Sequence, residues 1–258
     1  MAFEFYAASA TLATPGIAIP ITALAGFTSS EFDNGTTAQK ISKTIYGILQ
    51  AVYVALSPSN VNKLGIANIF KSSPSGVAVD TFAVTYSSTF SLYADPADAN
   101  PISSIPVATG GTNANWGRVP LTDILAGVVY SDGTATLATR TVVIPDADIA
   151  PYLPSAAMPP SDLGTDNRRY LQALFEYLVN AADMVRSATI ASALTARSAS
   201  SYSASTPSGA LIAATNPTSG IDPAKASRTV LLSRTYSFTL QFLAVASSET
   251  FDVNVVTG

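Results

Sequence analysis

The sequence predicts an α+β fold: a unit with an antiparallel β-sheet and one long amphipathic helix, present twice in tandem. Three observations lead there. Short blocks recur in the same order along the chain. Two stretches, 37–56 and 168–188, carry apolar residues at helical spacing. The remaining apolar runs alternate, or are broken by turn residues, as strands are. A double β-sandwich of jelly-roll type with one inserted helix per copy is the alternative. The countable strands, about four or five per copy, are few for a full jelly roll.

The repeat is read block by block. Ala10-Thr11-Leu12-Ala13-Thr14 returns as Ala135-Thr136-Leu137-Ala138-Thr139, and Ile19-Pro20 as Ile144-Pro145, both at an offset of 125. Asp33-Asn34 returns as Asp166-Asn167 and Pro74-Ser75-Gly76 as Pro207-Ser208-Gly209, at 133. Thr85-Tyr86-Ser87 returns as Thr235-Tyr236-Ser237, at 150. Ala, Ser and Thr are abundant, so a single match means little. The kept order, and an offset that only grows, point to duplication with insertions in the second copy. The expected units are 1–118, including a Pro/Gly-rich loop at 95–117, and 119–258, with an enlarged Ser/Thr-rich loop at 198–223.

Taken in order, residues 2–14 alternate around Phe3 and Phe5 and predict a strand. Residues 16–25 are a second apolar stretch. Pro15 precedes it and Pro20 interrupts it, so an edge strand or a bend is expected. Residues 28–35 read as a polar loop ending in Asp33-Asn34-Gly35. The helix at 37–56 places Ile41, Ile45, Ile48, Leu49, Val52 and Leu56 on one face, with Thr36 or Thr37 as cap. Residues 57–75 read as a connector with an apolar piece at 64–70. Residues 77–93 read as one strand region. The bridge at 119–130 holds a strand candidate at 124–130. The second helix, 168–188, places Leu171, Leu174, Leu178, Ala181, Ala182 and Val185 on the matching face, with Asp166 as cap. Residues 229–245 alternate cleanly through Tyr236, Phe238, Leu240 and Phe242, and Phe251 to Val255 suggests a last strand.

Composition narrows the function. Of 258 residues, 48% are hydrophobic and 12% charged. A full core is feasible, and the surface must be built from Ser, Thr, Asn, Gly and Ala, or be buried against other subunits. Net charge is −4 and no basic cluster exceeds Arg168-Arg169, so no sequence-specific nucleic acid is expected as a partner. There is no Cys and no His. Disulfides, thiolate or imidazole metal ligands, and His-based triads are excluded. Residues 1–20 carry Glu4 and no basic n-region, so a secretory signal is not expected. No run of apolar residues is long enough for a membrane span.

Few residues suggest chemistry. Glu176 lies beside the apolar helix face and reads as solvated or lightly paired. Of Lys40, Lys43, Lys63, Lys71 and Lys225, most have polar neighbours, and they read as solvated faces. Asp95 with Asp98, and Asp146 with Asp148, read as turn formers rather than as a calcium loop. Gly110-Gly111 lacks the GK[ST] of a phosphate loop. No catalytic, cofactor-binding or metal residue is nominated, and the chain is expected not to be an enzyme. Arg168 and Arg169 open a helix, where positive charge opposes the dipole. That placement suggests a carboxylate on a neighbouring subunit. Trp116 and Tyr202 are nominated with them as subunit contacts, because aromatics of this kind favour interfaces.

The function expected is a self-assembling structural subunit, a virus or phage capsid or shell protein using two pseudo-equivalent domains for lattice contacts. Its partners would be copies of itself and other structural proteins of the particle. It would be made in the host cytoplasm and reside in a virion or other extracellular particle. The alternative is a glycan- or surface-binding module, such as a phage tail, fibre or adhesin domain.

Overall fold

In the computed structural model, which describes residues 3–55, 69–72, 75–78, 81–94, 120–152, 162–164, 168–188, 201–204, 208–211 and 230–243, helices accompany antiparallel sheets in an α+β fold. The strands are β1 (Glu4–Tyr6), β2 (Gly16–Pro20), β3 (Ile69–Lys71), β4 (Ser75–Ala78), β5 (Thr81–Ala94), β6 (Val129–Ser131), β7 (Thr141–Pro145), β8 (Ser201–Ala204), β9 (Ser208–Leu211) and β10 (Val230–Leu243). The helices are α1 (Ser29–Asn34), α2 (Thr37–Ala55), α3 (Leu121–Ile124), α4 (Asp146–Ile149) and α5 (Arg168–Ala188).

Both sheets are built from residues 3–94 and 120–243 together. The four-stranded sheet runs β1-β7-β2-β6, so strands from the two segments alternate. The six-stranded sheet runs β3-β5-β10-β8, with β4 also on β5 and β9 also on β10. Here the two segments meet at the β5–β10 ladder. We call this shared boundary the seam.

The registers repeat. Glu4 faces Val143 and Tyr6 faces Thr141, while Val129 faces Ala18 and Ser131 faces Gly16. Each residue of the second ladder stands 125 from its counterpart in the first. Between β2 and β7, Ala18 faces Val143, itself a pair 125 apart. So does the bridge of Thr11 to Thr136. Between β5 and β10, Ser87 faces Ser237, a pair 150 apart. Phe70 faces Ser87 and Ser203 faces Ser237, so the flanking strands match as well.

The prolines do not push β2 to an edge; it is a central strand between β7 and β6. The reason is parity. Ile21 N–H donates to Arg140 O at 3.0 Å and Asp146 N–H to Pro15 O at 2.9 Å. In an antiparallel ladder every second residue bonds to a given neighbour, so the nitrogens of Pro20 and Pro145 face away from the β2–β7 ladder. On those sides the neighbours have already ended: β6 pairs only as far as Ala18 and β1 only as far as Val143. No N–H is missed. Gly16, opposite Pro145, is needed for close approach, because a Cβ there would run into the Ile144 carbonyl.

The four-stranded sheet is buried on both faces. Ile17, Ile19, Val142 and Ile144 join the main core. Ala18 and Val143 point the other way and are covered by Leu12 and Leu137, the central residues of the Ala-Thr-Leu-Ala-Thr blocks. Helices α2 and α5 fill the space between the sheets. Phe175 meets Tyr236 and Phe238 of β10, with centroids 5.6 and 6.0 Å apart, while Tyr177 meets Phe3 edge-on at 5.1 Å. Residues two apart on a helix face opposite ways, so α5 is wrapped on both sides. The expected apolar faces hold: Ile41, Ile45, Ile48, Leu49 and Val52 are buried, as are Leu171, Leu174, Leu178, Ala181 and Ala182. Leu56, the Asp166 cap and the Val185 side chain lie outside what is described.

Several local expectations are corrected. Residues 28–35 hold α1, whose Thr28 and Glu31 form a capping box. Residues 77–93 divide between β4 and β5, which pair as a hairpin. The connector at 57–75 holds β3, and the 198–223 loop holds β8 and β9. The 124–130 strand gives way to the end of α3, a turn at Gly127 (φ 78°) and the short β6. The loop at 95–117 and the strand at 251–255 lie outside the described residues.

Ile45 and Leu178 sit at the centre of the helix faces, 3% and 0% exposed. Ile45→Asp or Leu178→Asp would bury an unpaired charge and should cost more than about 4 kcal/mol. Loss of the cooperative melting transition by circular dichroism is expected in each. Normal melting of both would refute these packing assignments.

Candidate functional site: the seam and its polar groups

The first polar group is set by local turn chemistry. Thr28 caps α1: its hydroxyl accepts from Glu31 N–H at 3.3 Å, and Glu31 Oε2 accepts from Thr28 N–H at 2.7 Å. The reciprocal bonds fix the Glu31 side chain. Just upstream, Phe27 N–H donates to Leu24 O at 3.2 Å, a tight turn that needs the positive φ of Gly26. Lys43 on α2 reaches both features. Its Nζ donates to Glu31 Oε1 at 2.7 Å and to Gly26 O at 3.0 Å. Lys43 is 3% exposed, which overturns its reading as a solvated lysine. Burial pushes the Glu31 carboxyl up, but the bonds from Lys43 and Thr28 outweigh it and hold the group below its usual range.

An exposed pair crosses the seam nearby. Arg140, just before β7, donates from Nε and one terminal nitrogen to the two oxygens of Asp33 at 2.8 and 2.7 Å. The fork geometry is that of a bidentate guanidinium–carboxylate pair. Arg140's hydrogen bond holds the Asp33 carboxyl below its usual value. Solvent screening leaves such a pair a small share of stability, so it serves to orient α1 against β7.

The second polar group lies on the other side of the seam. Tyr130 of β6 donates to Asp146 Oδ2 at 2.8 Å. Asp146 Oδ1 is buried with no hydrogen-bond partner, and so are the hydroxyls of Tyr170 and Tyr177 on α5. Burial pushes the Asp146 carboxyl up, opposed by the Tyr130 bond. Burial, then the negative charge of Asp146, raises the Tyr170 phenol well above its ordinary value. Farther along α5, half-buried Glu176 accepts from Tyr236 OH at 2.7 Å. Its light pairing is therefore as expected.

These groups hold and orient elements; they do not assemble a nucleophile, a base and an orienting partner. Among the described residues no group of three or more acidic side chains could hold a metal ion. Asp146 and Asp148 both lie in the first turn of α4, where negative charge suits the helix dipole. No helix among the described residues is long and apolar enough to cross a membrane.

The nominated contact residues are scattered. Arg168 and Arg169 are the first two residues of α5. Tyr202 lies in β8, the outermost strand of its path, opposite Phe238. Trp116 lies outside the described residues. The part-buried pairings that the sequence reading did not anticipate, Lys43 with Glu31 and Asp146 with Tyr130, had one visible signal, the Thr28-x-x-Glu31 capping pattern. No family model matches the chain, and neither the curated proteins nor the solved structures contain a match to it.

Two outcomes follow for solution measurements. Lys43→Met leaves Glu31 with a partly buried, uncompensated carboxylate and should cost about 3–5 kcal/mol at neutral pH. Because the folded Glu31 value is depressed, its contribution is present above the unfolded value near 4.3 and lost as pH falls through the folded value. The deficit of the variant should therefore shrink in acid, read by urea unfolding across pH 3–7. Asp146 behaves oppositely. Its raised value means that the stabilisation is full below the unfolded value and lost as pH rises through the folded one. Asp146→Asn should melt higher than the parent at neutral pH, with the gap narrowing in acid. A pH-independent gap would show that Asp146 does not titrate in this way.

Proposed function

We propose that the chain is a duplicated, self-assembling structural subunit, the shell or capsid protein of a virus or phage. The observation that carries this reading is the register coincidence across the seam. Two of the ladders that join residues 3–94 to 120–243, β2–β7 and β5–β10, are centred on pairs one repeat apart, Ala18 with Val143 and Ser87 with Ser237. A tandem duplication accounts for that, with the units meeting about a pseudo-two-fold axis. One chain then presents each outer surface twice and can occupy a lattice position that a symmetric dimer would fill.

Composition supports the same reading. With 12% charged residues and no His or Cys, the chain has little to offer catalysis or charge-driven binding. A low-charge surface favours burial against other subunits. In this reading the subunit is made in the host cytoplasm and resides in the particle. Its neighbours are copies of itself and other particle proteins, and Arg168, Arg169, Tyr202 and Trp116 face them.

Size-exclusion chromatography with negative-stain microscopy tests the proposal directly. Large regular particles are expected. A monodisperse monomer or trimer would sink the shell reading and favour a surface-binding module. Arg168→Glu with Arg169→Glu puts acidic residues in the first turn of α5, where they suit the helix dipole, and should leave the melting temperature within about 2 °C, yet reduce particle yield at least tenfold. Unchanged yield would remove these arginines from the lattice contacts.

A further inference from the structure

We propose that an internal water molecule joins Asp146 to Tyr170, and so ties the first turn of α5 to the corner where β7 passes into α4. Asp146 Oδ1 and the Tyr170 hydroxyl are both buried and have no hydrogen-bond partner within the chain. Such groups are costly to leave unpaired, and folded proteins almost always supply a partner, from the chain or from ordered water. Tyr170 is the third residue of α5 and is 2% exposed. Asp146 opens α4, which packs against α5. Its other oxygen, Oδ2, is held by the Tyr130 hydroxyl at 2.8 Å, which fixes how Oδ1 is presented. The charge of Asp146 is near enough to bear on the Tyr170 phenol, yet no direct bond joins the two. A polar pair held apart in this way is one that water bridges.

The chemistry of the pair selects the ligand. Burial keeps the Tyr170 phenol protonated, so it has a proton to donate. An ionised carboxylate oxygen only accepts. A cation offers nothing to take the phenol proton, and an anion is repelled by Asp146. Water does both: it accepts from Tyr170 and donates to Oδ1. A hard cation would also need six or more oxygen ligands, and no group of three or more acidic side chains among the described residues could hold one. Tyr177, also buried without a partner, stands two turns farther along α5. That is about 10 Å along the axis, and Tyr177 is not assigned to the same water.

The other segment shows that the backbone plan does not demand these polar groups. At 125 residues earlier, Tyr130 and Asp146 correspond to Phe5 and Ile21, and at 133 earlier Tyr170 corresponds to Thr37. Ile21 is a core residue, Phe5 packs against that core, and Thr37 is exposed. Tyr130, Asp146 and Tyr170 are thus a polar set found on one side of the seam alone. All three belong to one chain, so the site forms whether or not the chain assembles into particles.

High-resolution density maps of the full chain and of its Tyr170→Phe variant test the assignment. The parent should show one peak about 2.8 Å from both Tyr170 Oη and Asp146 Oδ1, with Tyr130 still on Oδ2. Tyr170→Phe removes a single hydroxyl, and the peak should be lost from that position. A direct Tyr170–Asp146 hydrogen bond in the parent, or the two groups packed with no peak between them, overturns the proposal. So does a peak ringed by six or more oxygens at about 2.3–2.6 Å, which is a cation. A peak that keeps its place in Tyr170→Phe overturns the bridge as well, because the phenol would not be holding it.

Discussion

The antiparallel ladder between β5 and β10 is the constraint on which the rest of the structure depends. It pairs 14 residues of each strand, far more than any other ladder among the described residues. Unpaired backbone groups on strands of that length would be exposed edges or unsatisfied buried groups. The ladder also fixes where the aromatic rings stand. Tyr86, Tyr236 and Phe238 are buried on the side that α2 and α5 cover, so the helices are located by strands far from them in sequence. The smaller sheet then packs on the opposite side of the helices through Ile17, Ile19, Val142 and Ile144.

Within this repeating frame the polar interior is not repeated. Lys43 and Glu176 stand 133 residues apart, on equivalent turns of α2 and α5. The lysine is buried against Glu31, and the glutamate is half-buried and bonded to Tyr236. Ile21 and Asp146, 125 apart, follow β2 and β7; the first is an apolar core residue and the second a carboxylate facing Tyr130. The charge of Lys43 is fully compensated, whereas Asp146 keeps one oxygen without a partner. Opposite pH responses from the two sides of one seam follow from that contrast. The Lys43 set ties α1 and the Gly26 turn to α2, whereas the Tyr130–Asp146 bond ties β6 to the start of α4.

The long helices were legible because nineteen or more residues give many turns of i, i+3 and i+4 spacing. The strand of residues 229–245 was legible for the same reason at period two. What failed was short. Strands of three residues, such as β3 and β6, contain barely one alternation. Helix α1 has six residues, mostly polar, and is held by its capping box rather than by an apolar face. Lys43 was misread because its sequence neighbours, Ser42 and Thr44, are polar. Its burial is decided instead by the Gly26 turn and by Glu31 on the preceding helix. The central position of β2 was misread because a proline is judged by its missing donor, and the sequence does not reveal which side that nitrogen faces.

The repeated letters themselves have a physical explanation on the proposed duplication. Those at offsets of 125 and 150 fall where the two segments meet, whereas Ser75-Gly76 in β4 and Ser208-Gly209 in β9 pair with β5 and β10 and not with each other. Thr11 and Thr136 bridge each other, Leu12 and Leu137 cover Ala18 and Val143 from one cluster, and Ser87 faces Ser237. Ile19-Pro20 and Ile144-Pro145 end the two central strands at the same parity. At such places a residue must fit its own counterpart, so a change on one side alters the environment of the other. Away from the seam that coupling is absent. Gly35-Thr36 closes α1 and caps α2, whereas Arg168-Arg169, 133 residues on, open α5. Self-contact preserves letters, and positions without it are free to diverge.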